Sequence, residues 1–340
     1  MSVKFCDGFD HYTDIGVKGT ALQAYLEAAG YVVRNASDTT FSMVEGRRTG
    51  AKALKFTVAA NSSINASLSW GFTTSQNLVV FGFALKAGLS RMRICRIENI
   101  VDIDWDATTG KIRVGEQLGV NPLILNAWYY FEVEIDKAAN TVKIYANNEL
   151  QLTVPPSSAP TTQYTISWGQ TGTAPNAGEQ TLDDLYVLDG SGSYNNARLT
   201  PVEVTSRMPT ADVSTQWEVV NASSSTPHYQ IVSQLSPGGE GKPYLQSNTA
   251  GATDMFRSNV ALPTANQIFA VSVIAYARKG DLDDRKLGLV VNTEGGTPSE
   301  IQVPLTEGYK YYQATYEQAP GGGNWNQNNV ESLQFGIITR

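Results

Sequence analysis

Asp102, Asp104 and Asp106 stand at alternate positions, the spacing that lines one face of a strand with carboxylates and can hold a hard cation such as Ca²⁺. An EF-hand loop starting at Asp102 needs glycine at its sixth position and glutamate at its twelfth. Those positions hold Ala107 and Arg113, so that motif fails. The plainer reading is a polar strand face, on which a cation or a neighbouring arginine relieves the repulsion within the row. These three are the only metal candidates, and Ca²⁺ is the only cofactor they bring into question.

Adjacent carboxylates occur at Asp183-Asp184 and Asp283-Asp284. Glycoside hydrolysis uses paired carboxylates. Neighbours on a strand point to opposite faces, so Asp183 and Asp184 are not expected to serve one substrate atom. One of them is expected to turn inward and bond backbone at a strand end. Asp283-Asp284 reads as a solvated turn within Gly280–Arg285. His11 and His228 are the only histidines, and neither sits in a serine- or cysteine-centred motif. Each is expected to be a hydrogen-bonded structural residue. Gly238-Gly239-Glu240-Gly241 and Gly321-Gly322-Gly323 lack the Lys-Ser/Thr of a phosphate loop. No catalytic residue is therefore nominated, and the chain reads as a non-enzyme. Aromatic faces are the last candidates. Trp325 and Tyr312, with Tyr309, Tyr311 and Tyr316 nearby, have rings that stack on sugars, against the competing use of core or interface packing.

The elements that would position these residues are strands. Val101-Asp102-Ile103-Asp104-Trp105-Asp106 alternates strictly, and Lys111–Val114, Phe131–Ile135 and Thr141–Tyr145 alternate again. Val79–Leu85 is an apolar run that reads as a buried strand. Turn residues punctuate the runs as in a sandwich or barrel. One helix is expected over Gly19–Gly30, with Thr20 as N-cap and Gly30 as its stop. The small polar stretch Gly190–Asn196 reads as a hinge. The division expected is a first sandwich over 1–190, a linker over 191–200 and a second sandwich over 201–340, opening with a strand at Val202–Met208.

Composition bounds the partners. The chain of 340 residues has a net charge of −7, which argues against nucleic acid despite Arg47-Arg48 and the Arg91, Arg93, Arg96 group. No apolar stretch approaches the roughly 20 residues of a membrane-spanning helix, so no membrane partner is expected. The N-terminus meets acid at Asp7 without an apolar leader, so assembly in the cytoplasm is expected. Cys6 and Cys95 have no metal or redox spacing and are expected as buried thiols.

Trp128–Asp136 followed by Thr141–Leu150 resembles the paired strands of laminin-G and concanavalin-like jelly rolls. Phe5–Tyr12 looks like the opening strand of such a domain, and Leu182–Val187 like its closing strand. The opening stretch, Asp183–Asn196, Val202-Glu203-Val204, Thr215-Gln216-Trp217 and Ala277–Gly280 together resemble a family of tailed-bacteriophage structural proteins. The resemblance implies an all-β chain of two antiparallel sandwiches, the first a concanavalin-like jelly roll with a short helix. It further implies a virion location, as a capsid decoration or tail-associated protein, with a homo-oligomer and other virion proteins as partners. A carbohydrate- or receptor-binding tail appendage is the alternative, with a glycan as partner.

Overall fold

The computed structural model describes residues 1–59, 66–88, 93–169, 178–238, 241–261, 267–293 and 296–340. Arg91, Gly239 and Glu240 lie outside the described residues. The chain forms two compact units, Met1–Thr205 and Ser206–Arg340.

The first unit runs β1 (Val3–Asp7), α1 (Gly19–Ala28), β2 (Val32–Arg34), β3 (Phe41–Glu45), β4 (Lys52–Val58), β5 (Ser67–Thr73), β6 (Leu78–Ala87), β7 (Arg93–Ile97), β8 (Val101–Trp105), β9 (Lys111–Val114), β10 (Gln117–Pro122), β11 (Trp128–Asp136), β12 (Thr141–Ala146), β13 (Glu149–Val154), β14 (Gln163–Gly169) and β15 (Gly178–Asp189). An eight-stranded sheet has the order β13-β12-β11-β6-β15-β4-β3, with β1 also on β15, and a seven-stranded sheet the order β10-β9-β8-β7-β14-β5-β2. The chain crosses between the sheets repeatedly, with β7 to β10 consecutive in one sheet and β11 to β13 in the other, and the opening strand lies antiparallel to the closing one, with Cys6 opposite Tyr186. This is a jelly-roll sandwich.

Period-two alternation puts one row of each strand between the sheets. From β6 and β11 come Phe81, Phe83, Phe131 and Val133, with Phe83 opposite Phe131. From the other sheet come Ile97, Ile103, Tyr164, Ile166 and Trp168, all buried. Trp168 meets Phe83 edge to face, with ring centroids 5.5 Å apart. Each such side chain contributes about 1.5–3 kcal/mol through burial. The helix forms as expected but is capped two residues earlier than Thr20, at Lys18, without a side-chain bond. Gly30 follows it at φ +90°, where a side chain would be strained.

The stretch expected as a linker belongs to the first unit. Gly192 N–H donates to Ser2 Oγ at 2.9 Å, and Leu199 is 7% exposed. Residues 202–204 form no strand; their backbone is held by side chains of the first sandwich, as described below.

The second unit contains β16 (Ala211–Ser214), β17 (Glu218–Val220), α2 (His228–Val232), β18 (Tyr244–Gln246), β19 (Thr253–Arg257), β20 (Val271–Ala277), β21 (Lys286–Asn292), β22 (Ser299–Pro304), β23 (Lys310–Tyr316), α3 (Gln327–Glu331) and β24 (Gln334–Thr339). A five-stranded antiparallel sheet, β16-β19-β24-β21-β22, packs Leu287, Leu289 and Val291 against Val273, Ala314 and Tyr316 of the β20-β23 pair. This is a second, smaller all-β sandwich.

Candidate functional site

The densest group of chemistry-bearing side chains lies on the outer face of the eight-stranded sheet. Residue pairing carries that face from Tyr145 through Glu132 and Gly82 to Tyr186, and from Tyr130 through Ala84 to Asp183. Tyr186 lies flat across Gly82, where any Cβ would stand 2.0 Å from its ring. Tyr130 stacks beside Tyr186 at 6.4 Å. Glu132, Asp183 and Asp184 are each 0% exposed, a concentration of buried carboxylate that only donors can sustain.

The donors come from two places. Tyr186 Oη donates to Glu132 Oε1 at 2.6 Å, and the Arg198 guanidinium pairs with Glu132 Oε2. Arg198 also donates to Asn148 Oδ1 at 2.8 Å and covers the Tyr145 ring at 3.9 Å. Arg47 N–H donates to Asp183 Oδ2 at 2.9 Å, while its guanidinium lies 2.7 Å from Asp184 Oδ2 and donates to the Val202 carbonyl. Arg48 donates to the Val204 carbonyl at 3.1 Å, and Val204 N–H donates to Asp184 Oδ1 at 2.7 Å. Leu199 N–H donates to the Tyr186 hydroxyl at 3.2 Å. Residues 198–204 thus form a strap tied across this face.

The expectation that Asp183 and Asp184 point to opposite faces is overturned, because the strand is not regular there. On one side β15 pairs β4 through Leu182 and β1 from Leu185, and its register with β6 shifts between Asp183 and Tyr186. Asp184 takes φ +49° at this bulge. Both carboxylates therefore reach Arg47. Burial, and then the Asp184 charge, push Asp183 up to about 7. Burial also raises Asp184, opposed first by Arg47.

The aspartate series is paired within its own sheet. Asp102 takes Arg93 Nε at 2.7 Å, Asp104 lies 3.4 Å from Arg113, and Asp106 caps the turn by accepting from Thr109 N–H at 2.8 Å. Burial and the Asp102 charge raise Asp104. Among the described residues no group of His, Cys, Asp and Glu is arranged to hold a metal.

Trp325 is 4% exposed, its indole N–H donating to the Tyr316 carbonyl at 2.7 Å, so its ring belongs to the second core. Tyr312 packs on the same cluster, and its hydroxyl accepts from Thr306 N–H at 2.8 Å. Sugar stacking on these two rings is thereby corrected to core packing. Tyr309 and Tyr276 stack on each other at 5.0 Å instead. His228 donates through Nδ1 to Asp254 Oδ2 at 2.5 Å, and Asp254 also accepts from Gln216 and Trp217 N–H. His11 is half-buried beside Tyr12, and its partial desolvation lowers its pKa. Cys6 and Cys95 are not joined by a disulfide, and burial pushes the Cys95 thiol well up.

Two open features stand out among the described residues of the first unit. An open cleft beside β3 of about 490 Å³ is lined by Lys18, Asp38, Thr39, Glu45, Lys55 and Glu179, with Lys55 and Glu179 paired at 2.9 Å. At the opposite end of the sandwich β10 is a terminal strand of its sheet, and Leu118, Val120, Ile124 and Leu125 on and after it are exposed by 42%, 62%, 69% and 44%. Leu150 of the terminal strand β13 is 46% exposed.

Sequence reasoning missed Glu132, Arg198, Arg47 and Arg48 as partners. The one available signal was Gly82 within an apolar run, which marks room for a large ring from a neighbouring strand.

No family model matches the chain, and no curated protein matches it. Among solved structures, a LamA variant from Z. galactanivorans in complex with laminaritriose and laminaritetraose is similar at TM-score 0.36 and 10% identity, over 55% of this chain and 99% of that one. Domain 4 of AbnA, a GH43 extracellular arabinanase from Geobacillus stearothermophilus, is similar at TM-score 0.34 and 14% identity, over 47% and 82%. A sialidase is similar at TM-score 0.32 and 10% identity over 44% of this chain, which spans only 17% of that protein's length. At these values the likenesses say nothing of a ligand for this chain.

Proposed function

We propose that this chain is a structural subunit that works by surface contact, docking on a second copy of itself through the β10 edge of its first sandwich. The observation that carries the reading is the uncharged run 117–131, which holds no Asp, Glu, Lys or Arg and exposes Leu118, Val120, Ile124 and Leu125. Edge strands normally carry charge against association. With Leu150 these side chains open on the order of several hundred Å² of apolar surface, the scale at which a patch marks an interface. An apolar patch with a single carboxylate at its rim, Glu149 accepting from Asn121, is largely complementary to itself, which suits a two-fold pair. Bond-making chemistry has no part in the proposed role. The proposed setting is a tailed-phage particle, on shell or tail, and what supports it is the resemblance of the Phe5–Tyr12 and Asp183–Asn196 stretches.

Light scattering at tens of micromolar is expected to give at least twice the 36.8 kDa chain mass. Val120→Lys with Ile124→Lys is expected to reduce it to one chain with unchanged circular dichroism. A wild-type chain that stays single contradicts the contact reading. Finding the chain absent from purified particles contradicts the particle setting.

A second reading, binding of an oligosaccharide, is favoured by the cleft beside β3, where the ammonium groups of Lys18 and Lys55, the carboxylates of Asp38, Glu45 and Glu179 and the hydroxyl of Thr39 line the same open space as Ile15, Phe41 and Met43. Such a lining donates to and accepts from sugar hydroxyls. Lys55→Ala with Glu179→Gln is expected to weaken any glycan found on an array by tenfold or more. Unchanged binding would place the glycan elsewhere.

A further inference from the structure

On the outer face of the eight-stranded sheet, six residues stand opposite one another in a single row that crosses five strands. Trp128 of β11 is paired with Lys86 of β6, Lys86 with Thr181 of β15, and Thr181 with Lys55 of β4. Lys55 is paired in turn with Ser42 of β3, and Ser42 with Lys18, just before α1. Residues directly opposite on neighbouring strands share a face. That face is the outer one, because the alternating residues Leu85, Leu54, Phe56 and Met43 are buried in the core. The row therefore alternates ammonium and hydroxyl groups and ends on an indole. At about 4.8 Å per strand it is about 24 Å long.

Most of these groups are unspent. Among the described residues, the Lys18 and Lys86 ammonium groups meet no carboxylate, and the Ser42 and Thr181 hydroxyls make no hydrogen bond. Lys86 lies over the Trp128 ring, 5.1 Å from its centre. Lys55 is held by Glu179 at 2.9 Å. The Lys18, Ser42 and Lys55 end opens into the cleft beside β3, which Asp38, Glu45 and Glu179 also line. The three ammonium groups on the row are thus offset by three carboxylates beside it. Two residues further along their strands, Tyr130 lies under the Arg47 guanidinium and Asp183 accepts from the Arg47 N–H, so that turn bounds the row on one side.

We propose that the row is the binding track of a neutral linear oligosaccharide, laid across the strands from the β3 cleft to Trp128. The proposal rests on the oligosaccharide reading of that cleft and adds the ligand's path, length and charge. Hydroxyl and ring oxygens of successive sugars accept from the lysine, serine and threonine donors. The Trp128 ring gives the last sugar an apolar surface with a polar handle. A polyanion gains little here, because Asp38, Glu45 and Glu179 cancel the field of the lysines. Each sugar added gains contacts until the ligand reaches Trp128.

Isothermal titration of the full chain with cello-, xylo- and malto-oligosaccharides of two, four and six units tests this, with oligogalacturonates of the same lengths as the acidic comparison. At least one neutral series is expected to bind, about tenfold more tightly at six units than at two. Lys86→Ala and Trp128→Ala are each expected to remove that gain and to leave the two-unit affinity unchanged, whereas Lys55→Ala weakens every length. Lys86 makes no side-chain hydrogen bond among the described residues, so its variant decides the matter even where Trp128→Ala fails to fold. A series that binds without a gain in length, or whose gain survives in Lys86→Ala, overturns the track while the cleft reading stands. Tighter binding of the oligogalacturonates overturns the assignment of a neutral ligand. Binding of none of these sugars at millimolar concentration overturns the track and the oligosaccharide reading together.

Discussion

Arg198→Ala is expected to lower the stability of the first sandwich by about 3–5 kcal/mol, the loss seen when one partner of a buried ion pair is removed. Its guanidinium side chain is 18% exposed, and the Glu132 carboxylate it meets is 0% exposed. Without Arg198, Glu132 retains only the Tyr186 hydroxyl among its described donors, and the Tyr145 ring loses its cover. A surface pair would lose no more than about 1 kcal/mol. Urea denaturation measures the difference. Adding Glu132→Gln to the same chain is expected to recover most of it, because glutamine still accepts from Tyr186 and carries no charge. A loss below about 1 kcal/mol would mean that water replaces Arg198 and that the strap is not an integral part of the sandwich.

Asp254→Ala is expected to have a comparable effect on the second unit, about 3–4 kcal/mol, since each buried polar group left unsatisfied costs about 1–3 kcal/mol. Asp254 is 0% exposed and accepts from three donors, Gln216 N–H at 2.6 Å, Trp217 N–H at 2.9 Å and His228 Nδ1 at 2.5 Å. It pins the start of β17 and the first turn of α2 to β19. Asp254→Asn keeps one acceptor oxygen for the two backbone donors and is expected to lose about half as much. Thermal unfolding of the second unit reads both. An alanine variant as stable as the parent would show that this corner is not a tie between elements.

The strands were legible because burial on a single face writes period-two alternation directly into the chain. Phe131, Val133 and Ile135 point inward as their spacing requires, and Trp168 and Phe83 fill the layer between the sheets. The helix at Gly19–Ala28 was legible from its formers and its terminating glycine. The outer face was not. Glu132 alternates with apolar neighbours and reads as solvated, yet it is covered by Arg198, 66 residues later, and no local pattern encodes so distant a partner. Asp183 and Asp184 misled for a related reason. Strand parity holds only where pairing is regular, and here β15 changes partner on one side from β4 to β1. The segment after β15 has the composition of a linker, and its fixation comes from backbone groups at 199, 202 and 204, which every sequence possesses. Trp325 and Tyr312 show the converse. Their types suit stacking on a sugar, while the parity that Tyr312 shares with Tyr316 sends both into the second core.

The role proposed for the molecule stands on the β10 edge, and hydrogen exchange of the full chain at low and high concentration addresses that edge directly. Concentration is expected to bring new protection to peptides spanning 117–125 and to the neighbouring part of β13 at Leu150, leaving the rest of the first sandwich unchanged. An exchange pattern identical at both concentrations, or one in which protection appears away from this edge, would contradict it.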